Sequence, residues 1–407
     1  MTAYLDHAAT TPMLPAAIDA LTAELGRTGN ASSLHAAGRA ARRTVEESRE
    51  RLAAALGAHP SEVVLTAGGT EADNLAVKGL FWARAAADPA RRRILVSAAE
   101  HHAVLDPAHW LAASQGAEVV HLPVDREGRV DLASLATELR SSHERVALVS
   151  VMWANNEVGT VQPIAEVVAL AGRYGIPVHA DAVQAVGAVP VDFAASGLDA
   201  LTLSGHKVGG PLGVGALLAR RGLDLTPVLH GGGQERGVRS GTVDTPAARS
   251  FAVAVETAAR ARPDVAPRIA ALRDDLVRRV RAAVPDAVLR GPDPLRPGAA
   301  PTDRLPGNAH LTFPGCEGDS LLFLLDSAGV QCSTGSACRA GVPQPSHVLL
   351  AMGADEREAR GALRFSLGHT STAADVDALL DVLPEAVTRA RAAGLASAAV
   401  AGRAARR

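Results

Sequence analysis

The chain has 407 residues, of which 47% are hydrophobic and 21% charged, with a formal net charge of -2. That length suggests two or three domains, with a core large enough to fold without covalent staples. The near-neutral charge leaves no electrostatic footprint for nucleic acid or an anionic membrane, and three cysteines with no CxxC pair speak against a disulfide framework or a structural zinc site.

The first residues, MTAYLDHAATTP, contain neither a basic stretch nor an apolar one of the kind a secretory signal needs. No run approaches the ~18 apolar residues of a membrane helix. The expected compartment is the reducing cytoplasm. From about residue 60 to residue 220, short apolar runs alternate with longer helical patterns. The runs are Glu62–Thr66, Arg93–Ser97, Glu118–Leu122, Val146–Met152, Pro177–Ala180, Ala200–Ser204 and Gly213–Ala219, with helical segments such as Glu71–Ala87 and Pro163–Tyr174 between them. Runs such as VALVSVM lack a period-2 alternation, which predicts strands buried on both faces. The fold class is therefore α/β, a mainly parallel central sheet sandwiched by helices. Beyond Ser250–Arg262 a charged helix pattern, Pro267–Val284, leads into the Pro/Gly-rich stretch GPDPLRPGAAPTDRLPG, read as an exposed loop of a smaller α+β domain. The expected division is a large domain over 1–255, with its N-terminal segment alternatively packed with the small one, a small domain over 256–390, and a frayed Ala/Gly/Arg-rich tail over 391–407.

Chemistry-bearing residues recur where these strands end. Ala67-Gly68-Gly69-Thr70-Glu71 joins a strand to a helix, where backbone N–H groups can bind a phosphate; a plain cap is the ordinary reading. Glu100-His101-His102 follows the strand ILVS, and an imidazole there can lie over a flat ring or shuttle protons. Trp153-Ala154-Asn155-Asn156-Glu157 offers amides at another strand end, though an Asn pair commonly just makes a turn. Asp181 closes an apolar strand, where a buried carboxylate needs a partner such as a pyridinium nitrogen. Ser204-Gly205-His206-Lys207 places an amine in a Gly-rich turn, able to form a Schiff base with an aldehyde cofactor. All of these fall on the edge where α/β sheets bind ligands. Gly231-Gly232-Gly233-Gln234-Glu235-Arg236, leading to Arg239-Ser240-Gly241-Thr242, reads on its own as a flexible surface loop. In the second domain, Cys332 to Gly341 reads as a mobile loop carrying the thiol of Cys338 beside Arg339, whose charge favours thiolate. Cys316 and Cys332 read as inert. Arg364, in RFSLG, suits a substrate carboxylate.

Taken together, TAGGTEADN, EHHAVL, ANNEVGTVQPI, HADAVQAVG, SGHKVGGPLGVGAL, GGGQERGVRSGT, STGSAC and PSHVLLAMG resemble the cysteine desulfurase family of the class V aminotransferase superfamily. The match runs from Tyr4-Leu5-Asp6 to Gly368. The resemblance implies fold type I, pyridoxal 5'-phosphate as cofactor, and conversion of L-cysteine to L-alanine with sulfur passed to an enzyme cysteine as persulfide. It implies that Lys207 carries the cofactor, Asp181 pairs with its ring nitrogen, Gln184 meets the ring hydroxyl and His101 stacks on the ring. Gly69, Thr70, Ser204 and His206 would hold the phosphate, with Thr242 reaching in from the second subunit of a homodimer. Asn156 and Arg364 would take the substrate carboxylate, and Cys338 the sulfur, with shared ligation of an iron–sulfur cluster by Cys338 and a scaffold left open. SACRAG resembles the branch that serves iron–sulfur assembly and tRNA thiolation, so the acceptor would be a scaffold or a tRNA-thiolation enzyme. Three positions depart from the family pattern: His7 where Asn is common, Trp153 where His is common, and Arg339-Ala340 where Thr-Ser is common. The rival readings are a selenocysteine lyase or another class V aminotransferase, told apart by products, and a non-catalytic assembly platform, told apart by turnover. Because Cys338 must serve both a buried cofactor and an outside acceptor, the segment Ser333 to Gly341 is expected to move.

Overall fold

The computed structural model describes residues 2–335 and 344–404, with side chains up to 393. Twelve strands form three sheets among the described residues. In chain order they are β1 (Ala3–Tyr4), β2 (Val63–Thr66), β3 (Arg93–Ser97), β4 (Glu118–Leu122), β5 (Val146–Ser150), β6 (Val178–Asp181), β7 (Ala200–Ser204), β8 (Gly215–Ala219), β9 (Val288–Arg290), β10 (Asn308–Thr312), β11 (Val330–Gln331) and β12 (Ala362–Ser366). The main sheet has the order β2-β8-β7-β6-β5-β3-β4, with β8 antiparallel to both of its neighbours and the remaining pairs parallel.

The continuous apolar runs are explained by burial on both faces. Leu65, Leu95, Val149, Val178 and Leu201 turn to one core, with the helices Ala36–Leu56 and Thr245–Ala283. Val64, Ile94, Val96, Leu148 and Leu217 turn to the other side, under the helices Gly69–Ala87 and His102–Gln115. Each such fully buried Leu, Ile or Val stabilises the fold by about 1.5–3 kcal/mol. Since strand side chains alternate, His179 and Asp181 of β6 share the face opposite Val178 and Ala180, beneath the helix Gly69–Ala87.

A second core gathers β9, β10, β12, the helix Gly318–Ser327 and the C-terminal helix Ala373–Ala404, together with Ala3 and Leu5 from the start of the chain. β1 reaches it by pairing in parallel with β11. One helix, Thr245–Ala283, belongs to both cores: Phe251 and Val255 face the first, Ile269, Leu276 and Val280 the second. The sequence divides this stretch in two at its prolines. Pro263 and Pro267 are instead inside the helix and both exposed, one turn apart, where a missing N–H and a ring meet solvent rather than core. The segment expected as a frayed tail is helical in its backbone up to Ala404, alanine being the strongest helix former.

The Gly-rich run after residue 230 is anchored at Glu235. Its carboxylate is buried and grips Arg49 through two contacts of 2.9 Å while accepting the N–H of Leu65 on β2 at 2.8 Å. Glu235 and Arg236 adopt left-handed backbone, with φ of 48° and 58°. Glu235→Gln should therefore cost about 3 kcal/mol in urea unfolding, because it leaves the buried Arg49 guanidinium short of its counter-charge. A loss under 1 kcal/mol would show that the exposed Glu46, 3.2 Å from Arg49, suffices.

Candidate active site

The carboxyl ends of β3, β5, β6 and β7, together with the loop after β2, open on a cavity of about 530 Å3, within the range that holds small-molecule ligands. Gly69, Thr70, His101, Asn156, Asp181, Gln184, Ser204, His206, Lys207 and Arg364 all line it. Thr242 does not line the cavity of its own chain and is exposed. Cys338 and Arg339 lie outside the described residues, but both flanks of that segment reach the cavity region. Ser333 and Gly335 line the wall, and the Ser346 hydroxyl donates to the cavity-lining Glu157.

The local folding reasons are visible. Gly68, at φ 143°, turns the chain from β2 into the helix Gly69–Ala87. A Cβ on Gly69 would lie 3.0 Å from Val183 Cγ2 and 3.4 Å from Ser204 Cβ, so glycine keeps that floor open. The N–H groups of the helix's first turn, the Ser204 hydroxyl and the His206 imidazole thus border one end of the cavity, an arrangement suited to a phosphate. His101 caps the helix His102–Gln115, its Nδ1 accepting the Ala103 N–H at 3.1 Å, which leaves the proton on Nε2. Burial, then the neighbouring Lys207, hold its pKa down at about 4, so the ring is neutral at physiological pH. The two asparagines divide their work. Asn155 is fully buried and makes the turn, accepting the N–H groups of Glu157 and Val158 at 2.9 Å each, while Asn156 faces the cavity.

Asp181 accepts the Val183 N–H at 2.8 Å and is otherwise a buried carboxylate. Burial raises its pKa to about 6, against the opposing pull of that bond and of Lys207. A cationic ring nitrogen would satisfy it. Lys207 donates to the carbonyls of Ala8 at 2.7 Å and Ala9 at 2.6 Å. Its pKa is pushed down to about 8, chiefly by burial and then by Arg364, so the free amine is within reach. Gln184 donates to the same Ala8 carbonyl at 2.9 Å. Arg364 is buried, and its fork is set by Asp6 at 2.9 Å and the Asn156 carbonyl at 3.0 Å, with Nε left without a bond among the described residues. An anion cradle at one end, a carboxylate and an amine in the middle and a guanidinium at the other fit pyridoxal phosphate carrying an amino acid.

The alignment of residues 3–379 with the class-V aminotransferase family decides the wider identity. The chain belongs to the class-V aminotransferase family. Among its class-V relatives, a Mycobacterium tuberculosis protein named "IscS-like cysteine desulfurase" is 58% identical over 397 residues, 97% of this chain and 99% of that protein. "Cysteine desulfurase IscS" of Dictyoglomus turgidum is 41% identical, covering 95% of each chain. A solved "NifS-like protein" superposes with a TM-score of 0.85 at 34% identity, covering 95% of this chain and all of that one. Another, from Rickettsia africae, gives a TM-score of 0.83 at 31% identity, covering 95% and 99%. The fold is that of these pyridoxal-phosphate enzymes, and no described helix is long and apolar enough to cross a membrane.

Three class-V site neighbours escaped the sequence reading: Asp6, Asp73 and Glu157. Asp73 is buried beside Asp181, hydrogen-bonded to Thr202 and 3.5 Å from His179 Nε2. Burial pushes His179 down to about 3 and Asp73 well up, so the contact joins neutral groups rather than ions. Glu100 is likewise fully buried, held at 2.6 Å by the Met152 N–H with Oε2 unbonded, and its pKa is raised by burial. Of these three carboxyls, Asp181 is the one that the Lys207 charge favours in its ionised form. The rule that singled out Asp181, an acid closing an apolar strand, applies equally to Glu100 after ILVS. A consequence can be measured in the cofactor-free protein. The unfolded chain releases the Asp73 proton at an ordinary pKa while the folded chain retains it, so this group costs stability increasingly as pH rises through the carboxylate range. Asp73→Asn should therefore gain thermal stability over the wild type by a margin that widens as pH rises through the carboxylate range; a gap independent of pH would show Asp73 to be ionised in the fold.

Proposed function

We propose that the chain is a pyridoxal-phosphate-dependent cysteine desulfurase in which Lys207 holds the cofactor and Cys338 receives the sulfur. The observation that carries this reading is the joining of three things at one cavity: the Lys207–Asp181 pair, the carboxylate-binding Arg364, and both flanks of the segment containing Cys338. The cofactor supplies an aldehyde and an electron sink for charge developing at the substrate's α-carbon.

The side chains do the rest. The N–H groups at Gly69 and Thr70, with Ser204 and His206, fix the phosphate. Asp181 would hold the ring nitrogen's proton, and Gln184 would meet the ring hydroxyl. The neutral His101 imidazole would cover the ring and keep water from it. Arg364 and Asn156 take the carboxylate of L-cysteine and thereby orient its α-hydrogen. Lys207, with its lowered pKa, accepts that proton once freed from the cofactor. Cys338 thiolate takes the sulfur, and alanine leaves.

Cysteine desulfurases act on cysteine, usually as dimers. Thr242, exposed on its own chain, is assigned to the phosphate cradle of a second copy. Leu212, which lines the cavity and is 73% exposed, offers apolar surface at the same mouth. The persulfide passes by thiol exchange to an acceptor protein, an iron–sulfur scaffold or a tRNA-thiolation enzyme. One experiment tests the reading: a single turnover with L-cysteine should yield one alanine per active site and a persulfide on Cys338 by mass spectrometry. A keto acid with pyridoxamine phosphate would assign transamination instead.

A further inference from the structure

The turn 6–9 does two jobs in the site. Asp6 sets the fork of Arg364, and the carbonyls of Ala8 and Ala9 hold Lys207, that of Ala8 also taking Gln184. Yet this turn is a partition between two spaces. Behind it, between the two cores, lies a second cavity of about 170 Å3, bordered by Leu14, Ala258, Ile269 and Leu305. Ala8, Gln184 and Lys207 line both cavities. With room on either side, close packing cannot fix where the two carbonyls stand, and hydrogen bonds have to.

His7 supplies them. It is 6% exposed, with Nδ1 2.7 Å from the Thr11 hydroxyl and Nε2 3.3 Å from the Ser371 hydroxyl. Ser371 Oγ accepts the Gly368 N–H at 3.0 Å, so its own hydrogen turns to Nε2 and the ring proton sits on Nδ1, facing Thr11. Thr11 in turn donates its N–H to the His206 carbonyl at 3.1 Å, while Gly368 and Ser371 follow β12, the strand of Arg364. The imidazole therefore spans from the end of the site suited to a phosphate to the loop beyond the substrate-binding arginine. Its seat is close-fitting. A Cβ on Gly368 would run into the ring, its three nearest atoms being Nδ1, Cγ and Cε1 of His7. Tyr4 adds an edge contact, with ring centres 5.1 Å apart. Burial, then His369, hold the His7 pKa down at about 4 against the pull of Asp375, so the ring is neutral and offers one donor and one acceptor.

We propose that His7 is a positioning residue for Lys207 and Gln184, a latch that keeps the Ala8 and Ala9 carbonyls where the amine freed from the cofactor is received. The proposal rests on the reading of Lys207 as cofactor lysine and proton acceptor. An amine that has taken the substrate's α-proton becomes an ammonium, and two carbonyls at 2.7 and 2.6 Å are what stabilise it. Asparagine, the residue of the family pattern at this position, is shorter than the imidazole. It can serve Thr11 but cannot reach Ser371 as well, so the second bond is what histidine adds.

The test uses His7→Ala, His7→Asn, Ser371→Ala and the double variant of His7→Ala with Ser371→Ala, with Lys207→Ala as reference. In the holoenzyme, His7→Ala should keep its covalently attached cofactor while kcat falls about 10- to 100-fold, the cost of a displaced catalytic group. His7→Asn should stand between His7→Ala and the wild type. Ser371→Ala should lose less, and the double variant should be no slower than His7→Ala alone, because both break one latch. The second readout needs no cofactor. Competitive acetylation of Lys207, with Lys78 outside the cavity as internal reference, gives the pH midpoint of the Lys207 amine. Carbonyls that accept from the ammonium favour it, so the midpoint should fall in His7→Ala and in Ser371→Ala. The groups facing Lys207 are Arg364, Asp6, Asp181 and the neutral rings of His101 and His206, none of which these substitutions replace. A merely structural role would lower stability without moving that midpoint. Wild-type kcat in His7→Ala, additive losses in the double variant, or a midpoint that stays or rises overturns the proposal and leaves Lys207 in place. Cofactor still covalently attached in Lys207→Ala overturns the reading beneath it.

Discussion

Replacement of Lys207 by alanine should end turnover, by at least about 1,000-fold, and abolish covalent cofactor attachment without unfolding the chain. The chain has only two lysines. Lys78 is on the helix Gly69–Ala87, with its Nζ 4.5 Å from the centre of the Trp110 ring, and does not line the cavity. Lys207 lines it, with its ammonium held by the Ala8 and Ala9 carbonyls alone among the described residues. Truncation therefore removes no core packing, and water can reach the two carbonyls through the cavity. Borohydride reduction of the wild-type holoenzyme, followed by peptide mapping, should place the pyridoxyl label on Lys207. A label on Lys78, or a Lys207→Ala protein that still turns over cysteine, would reject the assignment.

The second large effect belongs to Cys338→Ser. Sulfide release under reductant should fall to background while the variant still takes up cofactor and substrate. The argument is one of chemistry and exclusion. Cys332 is 8% exposed, and burial pushes its thiol up to about 12, so it offers no thiolate at neutral pH. Cys316 is 4% exposed in the second core and is also raised by burial. Cys316→Ser and Cys332→Ser should accordingly keep most of the activity. Loss of desulfuration in Cys332→Ser, with activity retained in Cys338→Ser, would reverse the choice of nucleophile.

The strands were legible because a run such as VALVS is buried on both faces and carries its own signature; the sheet reproduces the expected runs to within a few residues. The sites at their ends were legible because the edge of an α/β sheet concentrates ligands, and Asp181 and Lys207 do meet at one cavity. What the sequence hid was non-local. Nothing in YLDHAA indicates that Asp6 meets Arg364 across the whole chain, or that the Ala8 and Ala9 carbonyls hold a lysine. Glu157 looks like an ordinary turn residue until Ser346 and Gly335 are folded over it. Glu235 looked like part of a mobile glycine run, whereas its carboxylate ties that run to Arg49 and β2. The long helix reads in sequence as two patterns, Ser250–Arg262 and Pro267–Val284, because its two halves face different cores; Pro263 and Pro267 sit inside it with both rings exposed. The expected motion of Ser333 to Gly341 concerns a segment of which 336–341 lie outside the described residues; Gly335, near its start, has a φ of 84°, a conformation closed to proline.

The pairing of β1 with β11 has a consequence for how the enzyme is made. Ala3 and Leu5 leave the ribosome roughly 300 residues before their partners around Val330 and the last helix. At 5–20 residues per second β1 waits roughly 20–60 s for its place. The strands of the main sheet, β2 to β8, have all emerged by then, so that sheet folds beside a gap that β1 has still to fill. Asp6, Ala8 and Ala9, which orient Arg364 and Lys207, can settle only when the second core closes. A chain that stops short of the second core thus lacks a finished catalytic centre, and the ability to liberate sulfur arrives in one step with the closing of that core.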